Sequence, residues 1–221
     1  MHRRRLLIQL TLVAFAMPCC AQYRVSPGDV DADGLPTSPA RICLGSNGSA
    51  HCYTPPDYMK SAPFGLNPKA EDVGELNGAA LALFRATFSG GGSGALTSFA
   101  LLTVKDGEFV NLLPKVQLSN QSEYKLWSLP EFSGLPVLAT ADFVWDFKAG
   151  KSSNSRPETH FGQHRYEIQI LMFDPAAGRY LERIKYITTR KYPGLDEAGD
   201  VRVLDLEKRA ILTILKPGPS R

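Results

Sequence analysis

The chain has 221 residues, with 25 Lys and Arg against 22 Asp and Glu, a formal charge of +3. Apolar residues at 43% and charged residues at 21% exclude a disordered chain, and 19 Gly with 16 Pro exclude collagen-like or low-complexity composition. No apolar run has the length of a membrane-spanning helix, and the size fits one domain, or one domain with a loose arm.

Residues 1–21 read as a secretory signal peptide. Arg3, Arg4 and Arg5 precede an apolar run over 6–16, broken by Gln9 and Thr11, and the small residues Cys19, Cys20 and Ala21 follow. A basic start, a short apolar middle and a small-residue cleavage site are what export machinery reads. Cleavage after Ala21 leaves Gln22 first and places the protein in the periplasm or outside the cell. Lipidation of Cys19 or Cys20 is the alternative; Pro18 before Cys19, and Cys20 after it, fit that pattern less well than simple cleavage. Three of the 25 basic residues and no acid lie in the leader, so the rest holds 22 of each sign. A neutral surface gives no electrostatic case for nucleic acid.

Cys43 and Cys52 are the cysteines left after cleavage. In an oxidising compartment two such thiols pair, and the Gly45, Asn47 and Gly48 between them suit a turn. A metal site using both with His51 matches no usual zinc spacing, so a disulfide is expected.

Residues 22–78 are dense in proline and glycine, which predicts an extended arm with a short strand near 40–44. The texture changes at Ala79. Strands are expected over 79–88, 98–104, 108–113, 116–118, 124–127, 136–146, 165–173 and 179–189. Lys105-Asp106-Gly107 marks a hairpin, because Asp-Gly supplies the positive φ of a tight turn. Tyr166, Ile168, Ile170 and Met172 share one face of their strand. The opposite face turns apolar at Leu171 and Phe173, which predicts burial on both sides there. Over 204–215 the period becomes helical. Leu204, Ile211 and Leu215 form a stripe flanked by Ala210 and Ile214, with Glu207, Lys208 and Arg209 away from it. Residues 217–221 read as a loose tail.

Residues 83–88 align with 138–143, and Val104, Gly107, Phe109 and Val110 align with Phe173, Gly178, Tyr180 and Leu181. An internal duplication explains this, each copy being a strand, a polar loop and a hairpin. The expected fold is mainly β: two similar antiparallel meanders, propeller-blade-like or forming a sandwich, with a C-terminal amphipathic helix. The arm occupies 22–78 and the β-rich domain 79–216.

Asp29-Val30-Asp31-Ala32-Asp33-Gly34 resembles the first half of calcium-binding loops of the EF-hand and dockerin type. Ca²⁺ takes six to eight hard oxygens, and alternate acids converge where glycine allows a sharp turn. Asp29, Asp31 and Asp33 are therefore the metal-site candidates. However, the twelfth position is Ala40 and Pro36 interrupts the helix that would follow. A solvated acidic turn is the favoured explanation of the pattern. Gly150-Lys151-Ser152 fails as a P-loop because Trp145 stands at the required glycine, and Gly91 to Ala95 fails as a nucleophile elbow at Ala95. His160 and His164 flank Gly162 in a loop, without helical metal geometry. By residue type, His160 with Ser93 and Asp142 completes a triad, although only geometry makes one. Trp127 and Trp145 are expected in the core, an exposed aromatic platform being the alternative.

The expected function is an exported, non-catalytic binding or accessory module with a protein or envelope partner. The alternatives are a secreted hydrolase using a loop histidine, and a structural envelope protein with a calcium-stabilised loop.

Overall fold

A computed structural model of the chain describes residues 23–45, 51–56, 63–89, 95–115, 117–119, 123–129, 135–144, 163–193 and 202–215. The fold is mainly antiparallel β, with three sheets and a C-terminal helix. A small sheet is built from β1 (Tyr23–Ser26), β2 (Arg41–Leu44) and β3 (Cys52–Tyr53). The first meander runs β4 (Leu66–Leu76), β5 (Ala79–Ser89), β6 (Ala95–Lys105) and β7 (Glu108–Asn111), with β8 (Gln117–Ser119) added to β6. The second runs β9 (Glu123–Trp127), β10 (Val137–Val144), β11 (Gln163–Asp174) and β12 (Arg179–Ile187), with β13 (Tyr192–Pro193) added to β11. Helix α1 covers Val203–Leu215.

Turn chemistry fixes the hairpins. Asp106 and Gly107 both take positive φ between β6 and β7, as their sequence demands. Asn77 and Gly78 do the same between β4 and β5.

Strand β4 corrects the expectation of an irregular arm over 22–78. Its 11 residues pair with β5, so the supposed boundary at 78 falls inside a hairpin. The pairing shifts register between Leu66 and Lys69, around Pro68, and again between Asp72 and Gly74. Proline is tolerated because β4 is an edge strand and Pro68 sits in an irregularity, where its missing donor costs no ladder bond. Short β1, β3 and β13 also went unexpected; each is a partner strand made by a neighbour rather than by its own periodicity.

The layers follow from the cores. Phe84, Ala86, Ala100 and Leu102 of the first meander pack on Ile42 and Ala40 beside the small sheet. Its other face supplies Leu81, Leu83, Phe99 and Leu101, which share a core with Leu138, Leu171 and Tyr180 of the second meander. The second meander's remaining face, with Ala139, Ala141, Ile168 and Ile170, packs on Val203, Leu204 and Ile211 of α1. Leu171 and Phe173 do face a core opposite to that of Ile168 and Ile170, as their alternation implies.

Polar ties join the layers. The Tyr180 N–H donates to the Leu112 carbonyl (2.8 Å) and its hydroxyl to that of Pro136 (2.8 Å). Arg85 pairs with Glu71 at 3.6 Å and lies over the Tyr124 ring, whose hydroxyl also bonds Glu71.

Helix α1 sits differently from its expected stripe. Ile214 is 57% exposed and Ala210 is exposed, whereas Glu207 turns toward the sheet. Tyr186 and Tyr192 both donate to Glu207. Two tyrosines of the second meander thus give this carboxylate a docked place that an apolar-stripe argument does not see.

Candidate functional site

The acidic turn is a small self-closed loop. The Asp31 N–H donates to the Leu35 carbonyl (2.9 Å), and the Asp31 carboxylate accepts the N–H groups of Asp33 (3.0 Å) and Leu35 (2.9 Å). Asp29 accepts the Ser38 hydroxyl at 2.9 Å. Gly34 supplies the positive φ at the tip. Among the described residues no three His, Cys, Asp or Glu side chains are grouped to hold a metal ion. The calcium expectation for Asp29, Asp31 and Asp33 therefore rests on their spacing. Calorimetry with excess Ca²⁺ tests it, and the absence of both heat and thermal shift disposes of it.

Close backbone approach anchors this loop. The Gly28 N–H donates to the Gly65 carbonyl (2.8 Å). A Cβ on Gly28 would stand 1.8 Å from the Ser38 carbonyl oxygen, and one on Gly65 would stand 2.5 Å from the same atom. Only glycine fits at either place.

His164 is on β11 opposite Tyr192 and is 1% exposed, so its imidazole lies within the fold, not on a loop. Asp142, half-buried on β10, raises the pKa of Tyr166 together with Glu123, after the larger effect of burial, to about 12. Ser93, His160 and Trp145 lie outside the described residues, as does the leader. Trp127 is 7% exposed in the core under α1, with the Lys208 ammonium 5.6 Å from its ring centre. It is a packing residue, as expected, and offers no platform.

Glu123 is a half-buried carboxylate held by the start of the helix. From β9 it accepts the Leu204 N–H at 2.7 Å, capping the first turn of α1 from a strand far away in sequence. Burial pushes its pKa up, against the lowering effect of the Leu204 and Val203 N–H groups. Lys125 and Asp205 make a second tie at 3.1 Å.

The small sheet presents an open groove. Cys43 and Cys52 are cross-strand partners and form a disulfide with S–S 2.02 Å. Arg24 pairs with Cys43, and Ser26 with Arg41, across β1 and β2. Side chains alternate along strands, so these five residues share one face. Tyr23, Val25, Ile42 and Tyr53 point the other way, into the core with Phe84. The five line a groove of about 310 Å³. Arg24 and Arg41 are exposed, and neither has an ion pair or hydrogen bond to a partner side chain among the described residues. Residue type alone gave no reason to single them out, since their proximity comes from strand pairing.

Comparison with family models, with curated proteins and with solved structures finds no match for this chain.

Proposed function

We propose that the chain is an exported, non-catalytic module that acts by binding a protein or envelope component. The observation that carries this reading is the Cys43–Cys52 disulfide, which pins two paired strands of a surface sheet. Such bonds persist in oxidising compartments, and the basic, apolar, small-residue order of residues 1–21 supplies the matching export signal. The chemistry-bearing residues support a binding role in their own way. His164 and Trp127 are spent on packing, and Glu123 on a helix cap. The layered sheets make a rigid frame, and rigid elements hold a recognition surface better than loops.

An internal duplication belongs to the same reading. Each meander has four strands in order, and in each the third strand also takes a short fifth strand near its start. Val104 pairs with Phe109 and Phe173 with Tyr180, matching the aligned positions.

The test has two arms. Intact-mass measurement of natively exported protein is expected to give a chain starting at Gln22 with its disulfide formed. Affinity capture from that compartment is expected to recover a component that heat-unfolded protein does not. A retained leader with both thiols reduced overturns export. No recovered partner, together with turnover of a generic ester or peptide library, overturns the binding role.

A further inference from the structure

We propose that the groove on the outer face of the small sheet, between Arg24 and Arg41, binds a phosphate monoester dianion. The proposal rests on reading the chain as a binding module, and it names the ligand chemistry.

Register places the two guanidinium groups. Arg24 lies opposite Cys43 and Arg41 opposite Ser26, so the arginines are diagonal neighbours on one face of an antiparallel pair. Diagonal positions lie about 7–8 Å apart. That spacing lets two long side chains close on a single small anion from either side.

Charge points the same way. Two like charges on one small face set up a local positive potential that favours an anionic ligand. Elsewhere the fold supplies the counter-charge: Arg183 has Asp174, Lys185 has Glu167 and Arg190 has Glu207. Arg24 and Arg41 have no such partner among the described residues, so the neutralising charge is left for a ligand to bring.

The lining selects the ligand class. Guanidinium groups only donate, and the Ser26 hydroxyl donates as well. The disulfide adds an apolar floor and holds the β2–β3 pair, which fixes the backbone that carries Arg41. Forked donors match the geometry of phosphate and carboxylate oxygens. Two positive charges favour the group that carries nearly two negative ones, and a phosphate monoester has about −1.5 to −2 near neutral pH. A carboxylate or a phosphodiester carries one. The groove, at about 310 Å³, lies at the small end of the ligand-pocket range, which leaves room for the ester's first atoms beyond the phosphate.

Calorimetric titration of the exported, oxidised chain with inorganic phosphate at constant ionic strength tests the site. Saturable one-to-one binding is expected, with acetate weaker by about tenfold or more. Arg24→Gln and Arg41→Gln should each weaken phosphate by about tenfold, and the double variant should abolish saturation. Arg209→Gln, on the exposed side of α1, should leave it unchanged. Unaltered thermal unfolding shows that the variants fold. Vesicles of phosphatidylglycerol separate the sources: the site as proposed gives no binding beyond that of phosphatidylcholine vesicles. Phosphate heat that does not saturate overturns the proposal, as does equal binding by the double variant or vesicle binding without phosphate binding. If phosphate fails while affinity capture still recovers a partner, the ligand class falls and the binding role stands; if both fail, both fall.

Discussion

Removing the Glu123 carboxylate should loosen α1 from the second meander. No Ser, Thr, Asp or Asn stands at the start of this helix; Arg202 is there, and its carbonyl accepts the N–H of Asp205 at 3.0 Å. The first-turn donors depend instead on Glu123, whose oxygen is 2.7 Å from the Leu204 nitrogen. Loss of a cap costs about 0.5–2 kcal/mol, and a hydrogen bond to a charged group contributes about 1.5–3 kcal/mol. Glu123→Ala should therefore cost about 2 kcal/mol, which for a chain of this size lowers Tm by about 4–8 °C. Glu123→Gln keeps an acceptor and removes the charge, so it should match wild type at low pH, where Glu123 is protonated, and be the more stable of the two at neutral pH. The pH dependence separates the two effects. Because burial raises the folded pKa of Glu123 above its ordinary 4.5, the folded state holds the proton more tightly than the unfolded state. The favourable contribution is complete below about that pH and is lost as pH rises through the folded pKa. Wild type should thus lose stability relative to Glu123→Gln across that window. Urea unfolding followed by far-UV circular dichroism, with hydrogen exchange at the Leu204 amide, measures both. Equal stability of Glu123→Ala and wild type, with an equally protected Leu204 amide, refutes the cap.

Other perturbations probe separate layers. Replacing Cys43 and Cys52 together by Ala opens a crosslink of sequence separation 9, and chain entropy gives a loss of about 2.5–3 kcal/mol, read by urea unfolding. Gly28→Ala drives a Cβ into the Ser38 carbonyl and should cost about 1–3 kcal/mol, with Gly65→Ala similar; thermal unfolding checks both. Tyr180→Phe leaves the buried Pro136 carbonyl without its hydroxyl donor and should cost about 1–2 kcal/mol by the same assay. In alkaline titration, burial holds the pKa of Tyr53, Tyr124 and Tyr166 up to about 12. Their stabilising share is present below the ordinary 10.0 and is lost as pH rises through about 12, so phenolate absorbance should appear late and together with unfolding.

Much of the second meander is legible without coordinates. Tyr166, Ile168 and Ile170 alternate strictly, and their face does pack on α1. In the first meander, Asp106-Gly107 fixes the β6–β7 hairpin through two φ angles, a property of the residues themselves. Strand β4 was hidden for the opposite reason. Pro68 and Gly74 read as breakers, yet both sit at register irregularities where an edge strand absorbs them. The candidate groove was hidden more deeply, since neither Tyr23–Ser26 nor Arg41–Leu44 carries a motif.

Composition and local pattern by themselves determined the β class, the β6–β7 and β11–β12 hairpin turns, the helical period near the C-terminus and the pairing of Cys43 with Cys52. These depend on side-chain alternation, on backbone preferences of single residues and on the turn-forming Gly45, Asn47 and Gly48 between the two cysteines. Tertiary structure alone decided that Glu123 caps α1, that Glu207 faces two tyrosines, and that Arg24 and Arg41 stand side by side. Each of these joins residues distant along the chain, and such contacts exist only once strand register and layer stacking are set. Register is a collective property of burying apolar faces together, and no short segment carries it.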